Sequence, residues 1–132
     1  MNIEAVCTEV LSTVPKAIAA GIIDMSSGML LDVKTTDSHP SQVLDMLAAA
    51  TKDLFEGDMV MEIEDIFKKT RGESDAKFHY FKEVIVNSTN LIHIFSRIPS
   101  NESIIGVVVC RASANLGLCL TKMRSIMEKA EA

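Results

Sequence analysis

At 132 residues, 48% of them hydrophobic, the chain has the length of one domain and enough apolar material for a core without metals or disulfides. Charged residues make up 23%, the net charge is -5 and the pI is about 5.1. These values argue against disorder and against nucleic acid, whose phosphates need a concentrated basic surface. Apolar runs such as Ile104 to Cys110 are too short to span a bilayer, and the N-terminus lacks a secretory signal, so no membrane partner and a cytoplasmic location are expected.

Residues 2 to 14 repeat apolar side chains at helical spacing (Ile3, Val6, Cys7, Val10, Leu11, Val14), and Pro15 ends that helix. Ala17 to Ile23 is apolar on both faces and predicts a central strand covered twice. A turn over Asp24 to Gly28 leads to an outer strand, Met29 to Thr35. Asp37 or Ser38 can cap the next helix, with Pro40 in its first turn. That helix runs from about Ser41 to Phe55, with Val43, Leu47, Ala50 and Leu54 in one stripe and Leu44 and Met46 beside it. Gly57 interrupts, Asp58 can cap, and Met59, Ile63, Ile66 and Phe67 form a second stripe. At about 100° per residue the two stripes fall on opposite sides of one ideal helix. Either the helix breaks at Gly57, or it is covered on two sides.

Arg71 to Asp75 reads as a polar loop, and Phe78 to Val86 as a strand. Leu91 to Ile98 returns from the turn at Asn87 to Asn90, and Pro99 to Ser103 turns again. Ile104 to Cys110 is a buried strand, expected beside Ala17 to Ile23, and Ala114 to Lys129 is the last helix. The order α-β-β-α-β-β-β-α, with no repeat or linker, predicts a single α+β domain over 1–132 built on a five-stranded antiparallel sheet.

Chemistry-bearing patterns are missing. There is no Gly-rich phosphate loop, no Cys-x-x-Cys and no His-x3-His, so neither a cofactor nor a metal is expected. His79 and His93 could face one another across a hairpin, but two separate strand residues are the simpler reading. Glu62, Glu64 and Asp65 read as a solvated helix face. Cys7, Cys110 and Cys119 each sit in apolar stretches and read as small buried hydrophobes. No nucleophile, base and orienter come together, so no catalytic residue is assigned and the chain reads as a non-enzyme.

The stretch Ile105-Gly106-Val107-Val108-Val109-Cys110-Arg111-Ala112-Ser113-Ala114-Asn115-Leu116-Gly117-Leu118 resembles the C-terminal signature of the roadblock (dynein light chain) family, and the element order is similar over nearly the whole chain. Gly21 to Gly28 also resembles the family's first hairpin. The resemblance implies a sheet with one long helix on one face and the two terminal helices on the other. It implies a homodimer, or pairing with a related domain, with central helices together and third strands edge to edge. It further implies a scaffold or regulator of small Ras-like GTPases.

On these grounds Leu44, Leu47, Leu54, Phe55, Met59, Ile63, Phe81 and Val84 are the expected dimer or partner interface. Asn115 is expected to cap the last helix, and Gly117 to let it approach the sheet closely. The alternative reading is a small-molecule-sensing α/β domain of PAS-like shape, with His93, Arg97 and Glu83 lining its cavity. Arg71 is the arginine to test against a GTPase, the others being Arg97, Arg111 and Arg124.

Overall fold

Two-sided apolar strands must be covered on both faces, and they occupy the middle of the sheet. A computed structural model describes residues 2–36, 41–73 and 78–131, with the backbone alone over 41–45. The elements are α1 (Ile3–Thr13), β1 (Ala17–Asp24), β2 (Met29–Thr35), α2 (Ser41–Glu56), α3 (Asp58–Thr70), β3 (Glu83–Asn87), β4 (Leu91–Ile98), β5 (Asn101–Arg111) and α4 (Leu116–Lys129). The five strands are all antiparallel in the order β2-β1-β5-β4-β3. β1 and β5 are therefore neighbours, as their composition predicts. The expected caps at Asp37 and Ser38, the expected first-turn Pro40 and Ser74-Asp75 of the polar loop lie outside the described residues.

Side chains alternate across β1 and β5 between two cores. On one face Ile22, Ile94, Val108 and Cys110 meet α1 and α4 through Cys7, Val10, Cys119, Met123 and Met127. On the other, Ile23, Phe95, Ile105 and Val107 meet Ala48 and Phe55 of α2. α1 is capped by Asn2, whose side chain accepts from the Ala5 N–H, and α4 by Asn115, which accepts from the Leu118 N–H at 3.0 Å.

The structure differs from the sequence reading in three places. The one long helix that the resemblance implies is two helices, the break at Gly57 that the two stripes left open, because the chain turns extended there (φ -63°, ψ 158°). A Cβ on Gly57 would lie 2.7 Å from the Asp53 carbonyl oxygen, so only glycine allows the turn this close to α2. Gly57 takes the N-cap position, and Asp58 is already inside α3. β3 begins at Glu83, not Phe78. Over residues 79 to 81 the backbone bonds to side chains, His79 N–H to Glu102, Tyr80 N–H to Glu64 and the Phe81 carbonyl from Arg97, and only at Lys82 does its carbonyl accept from the backbone N–H of Arg97. Finally, β5 starts at Asn101, which pairs directly with Ile98 through a register shift.

Candidate protein interface

An amphipathic helix ordinarily turns its apolar stripe toward its own core. α3 does the reverse. Met59 is 69% exposed and Ile66 55%, and Met61, Ile63 and Phe67 are exposed as well. The buried residue of this helix is Glu64, at 1%. Its carboxylate accepts from the Tyr80 N–H at 2.7 Å and meets His79 Nδ1 at 3.3 Å. The expectation that Glu64 shares a solvated face with Glu62 and Asp65 is therefore wrong. An unpaired buried carboxylate would be costly, and these two partners make its burial tolerable.

A second buried charge anchors the C-terminus of α2. Arg97, 3% exposed, donates to the carbonyls of Phe55, Phe81 and Glu102 and to the Glu56 carboxylate at 3.2 Å. Its guanidinium lies 5.0 Å from the centre of the Phe55 ring. Arg97 thus ties together the end of α2, the segment before β3 and the start of β5. Around it Lys82 pairs with Glu102, whose carboxyl is held below its ordinary range by that pairing and by the His79 N–H, against the opposing effect of burial. Phe67, Tyr80 and Phe78 stack edge to face, at 5.6 and 5.2 Å between ring centres. Polar clips and one aromatic cluster hold α3 against this segment, which leaves its apolar stripe in solvent.

The sheet also has an open edge. β3 is one of the two edge strands, β2 being the other, and Ile85 and Val86 on it are exposed. An unpaired strand edge carries free N–H and C=O groups that invite another strand.

The expected interface residues divide between surface and core. Leu54, Met59 and Ile63 are exposed. Leu47, Phe81 and Val84 are half-buried and pack on the α2-side core. The side chain of Leu44 lies outside the described residues. Phe55 is fully buried against the sheet, so it belongs to the core of one chain and not to a surface. Nothing in the periodicity separated it from Leu54; its position under Arg97 did. Ile66 and Phe67 of the second stripe and Met46 beside the first are exposed too, though not among the expected interface residues, and Met61 is an exposed residue that sequence reasoning did not single out.

The other singled-out residues also find places. Gly117 sits at the exposed start of α4, where a Cβ would meet nothing nearer than Asn115 Oδ1 at 3.5 Å. The close approach of helix and sheet is at Gly106 instead, where a Cβ would come within 2.5 Å of Met127 Sδ. His79 and His93 do not face one another: His93 opposes Val86, and His79 meets Glu64. Of the arginines, Arg124 makes a two-pronged pair with Glu83 at 2.7 and 2.8 Å, Arg97 is buried, and Arg71 and Arg111 are exposed. No group of His, Cys, Asp and Glu that could hold a metal occurs among the described residues, and no helix there is long and apolar enough to cross a membrane.

No protein-family model and no curated protein matches the chain. Solved structures do. MglB of Myxococcus xanthus is similar at a TM-score of 0.70 and 16% identity, over 97% of this chain and 90% of that one. The gliding protein MglB of Thermus thermophilus gives 0.68 and 20%, over 96% and 83%. A roadblock/LC7 domain from Streptomyces avermitilis gives 0.66 and 13%, over 97% and 93%. The PAS-like alternative is not favoured by these likenesses, and two of the residues expected to line its cavity are engaged elsewhere, Arg97 in its buried network and Glu83 with Arg124. With the sheet order and the placement of the helices, the comparisons show that this chain has a roadblock-type fold.

Proposed function

We propose that the chain is a single, non-catalytic, cytoplasmic interaction domain that acts as a homodimer. The observation that carries this reading is the outward apolar stripe of α3, together with the open edge of β3. A two-fold partner suits the charge pattern of α3. Asp58, Glu62 and Asp65 lie along its first two turns and middle, and Lys68, Lys69 and the C-cap Arg71 follow at its C-terminal end. Antiparallel pairing of two copies sets acid against base at both ends, as a self-complementary interface requires. Leu54, Met59 and Ile63 then lie at the centre of the contact. Leu44, Leu47, Phe81 and Val84 support it from the α2 and β3 sides.

Self-association also has a parallel among the structural relatives, one of which is an MglB in a tetrameric arrangement. Within a larger assembly the dimer works as a scaffold or regulator of a small Ras-like GTPase, or pairs with a related roadblock domain. Its contribution is surface complementarity. Arg71, exposed at the end of α3, is the arginine to test against a partner's nucleotide.

Light scattering at micromolar concentration tests the dimer. About twice the 14.4 kDa chain mass is expected, and Met59→Asp should return a folded monomer, because the carboxylate would be buried unpaired at the contact. A monomeric wild type would end the reading. For the GTPase, single-turnover hydrolysis by a co-purifying GTPase should change little with Arg71→Ala while binding persists. A loss of a hundredfold or more would make Arg71 catalytic in trans.

A further inference from the structure

The fold sorts the described methionines into two groups. Met25, Met123 and Met127 are each 1% exposed and pack in the two cores. Met29, Met46, Met59 and Met61 stand in solvent. Met59 is the most open of these at 69%, and it belongs to the apolar stripe of α3. Met29 is nearly as open at 62%, but it lies on β2, at the opposite edge of the sheet from β3. A thioether needs no deprotonation to react with a peroxide, so access to the sulfur governs its oxidation. The sulfoxide turns a flexible apolar side chain into a polar one. Leu54 and Ile63, which share the centre of the dimer contact with Met59, offer no hydrogen-bond donor to the new S=O group. Burying that group unpaired between two copies would be costly.

We propose that Met59 is a modification site, and that its oxidation by a hydroperoxide separates the two copies of the chain. The peroxide O–O bond breaks, one oxygen atom goes to Met59 Sδ, and water or an alcohol leaves. The sulfur is oxidised by two electrons and the peroxide is reduced by two. The reaction takes place on the free chain, whose stripe is open, and the oxidised chain no longer pairs. Mass action then draws the remaining pairs apart. A methionine sulfoxide reductase returns the thioether and reverses the change. The thiols of Cys7, Cys110 and Cys119 are shielded from the same reagent, each being at most 1% exposed. The switch presupposes the homodimer, and Met29 is the internal control that tells the two apart.

The test treats the full chain with hydrogen peroxide over a range of chain concentrations and follows oxygen uptake at each methionine by peptide mass spectrometry. In dilute solution Met59 and Met29 should be oxidised at similar rates, ahead of the buried Met25, Met123 and Met127. Where light scattering finds the dimer, Met59 should slow by about tenfold or more while Met29 does not change. The oxidised chain should keep a cooperative melt, dimerise about tenfold more weakly or worse, and recover after treatment with the reductase. A variant combining Met29→Leu, Met46→Leu and Met61→Leu leaves Met59 as the exposed methionine of the described residues, and peroxide should still dissociate it. The proposal fails if Met59 keeps pace with Met29 in the dimer, or if the chain oxidised at Met59 stays dimeric. It also fails if the triple variant withstands peroxide, or if oxidation abolishes the melt. In all four cases the untreated chain is still a dimer. An untreated chain that is monomeric at every concentration ends the dimer reading itself, and the switch with it.

Discussion

α4 and α3 are amphipathic helices of similar length, and the fold uses them in opposite ways. α4 buries Cys119, Met123, Ile126 and Met127 against the sheet. It approaches so closely at Gly106 that the methionine side chains take the place of a Cβ. α3 holds its apolar stripe in solvent and buries Glu64. One helix is fastened by non-directional packing, which needs only area and fit. The other is fastened mainly by directional polar bonds, with Phe67 alone of its apolar stripe packed on Tyr80. The contrast teaches that a helix pinned through a charge keeps its hydrophobic side free for a partner.

The polar clips should prove the more brittle of the two fastenings. Arg97→Leu leaves three backbone carbonyls and the Glu56 carboxylate without their donor. A loss of about 3–5 kcal/mol in urea denaturation at fixed protein concentration is expected. Arg124→Leu, which removes only an exposed pair, should cost about 1 kcal/mol or less. Equal losses would show that Arg97 does not act as a buried pin.

On the packed side, Gly106→Val should cost about 1–3 kcal/mol, because Met127 and Met123 are themselves buried and have little room to yield. An unchanged denaturation midpoint would mean that α4 can ride away from the sheet.

The buried thiols report on the same packing. Burial pushes the Cys7 and Cys110 thiols up to about 12, helped by Asp32 beside Cys7 and by Cys119 beside Cys110. The folded state therefore favours the protonated thiols. Their contribution to stability is fully present below the ordinary thiol value of 9.0 and is lost as pH rises from there toward about 12. Thiol titration at pH 8 should find these cysteines slow to react in the native protein, and all three thiols reactive after denaturation. Rapid native reaction would show that the α1/α4 core opens readily.

The smallest effect is expected at Gly117. Gly117→Ala meets open surface at the start of α4 and should change stability by less than about 0.5 kcal/mol, with a gain more natural than a loss. Set beside Gly106→Val, it separates the glycine that packs from the one that does not.

Much of the architecture was legible because its signals are local. Two-sided apolar runs marked β1 and β5 as the central pair, and turn residues at Asp24 to Gly28 and Asn87 to Asn90 marked the hairpins. Helical spacing found both stripes of the α2–α3 region. The candidate interface was legible in part: Leu54, Met59 and Ile63 stood out by periodicity, while Phe55 could not be told from its neighbour. Glu64 carried no mark that distinguished it from Glu62, since one turn of an acidic helix looks the same on every side.

The amino-acid sequence by itself determined the order of the elements, the centre of the sheet and the existence of two apolar stripes around Gly57, because each depends on residues a few positions apart. Tertiary structure alone decided which way each stripe points, why β3 starts late and which glycine packs. Those outcomes depend on Arg97 reaching Phe55, Glu64 reaching Tyr80 and Gly106 meeting Met127. Helical periodicity defines a stripe but leaves the rotation of the helix open, and that rotation is set by partners distant in the chain.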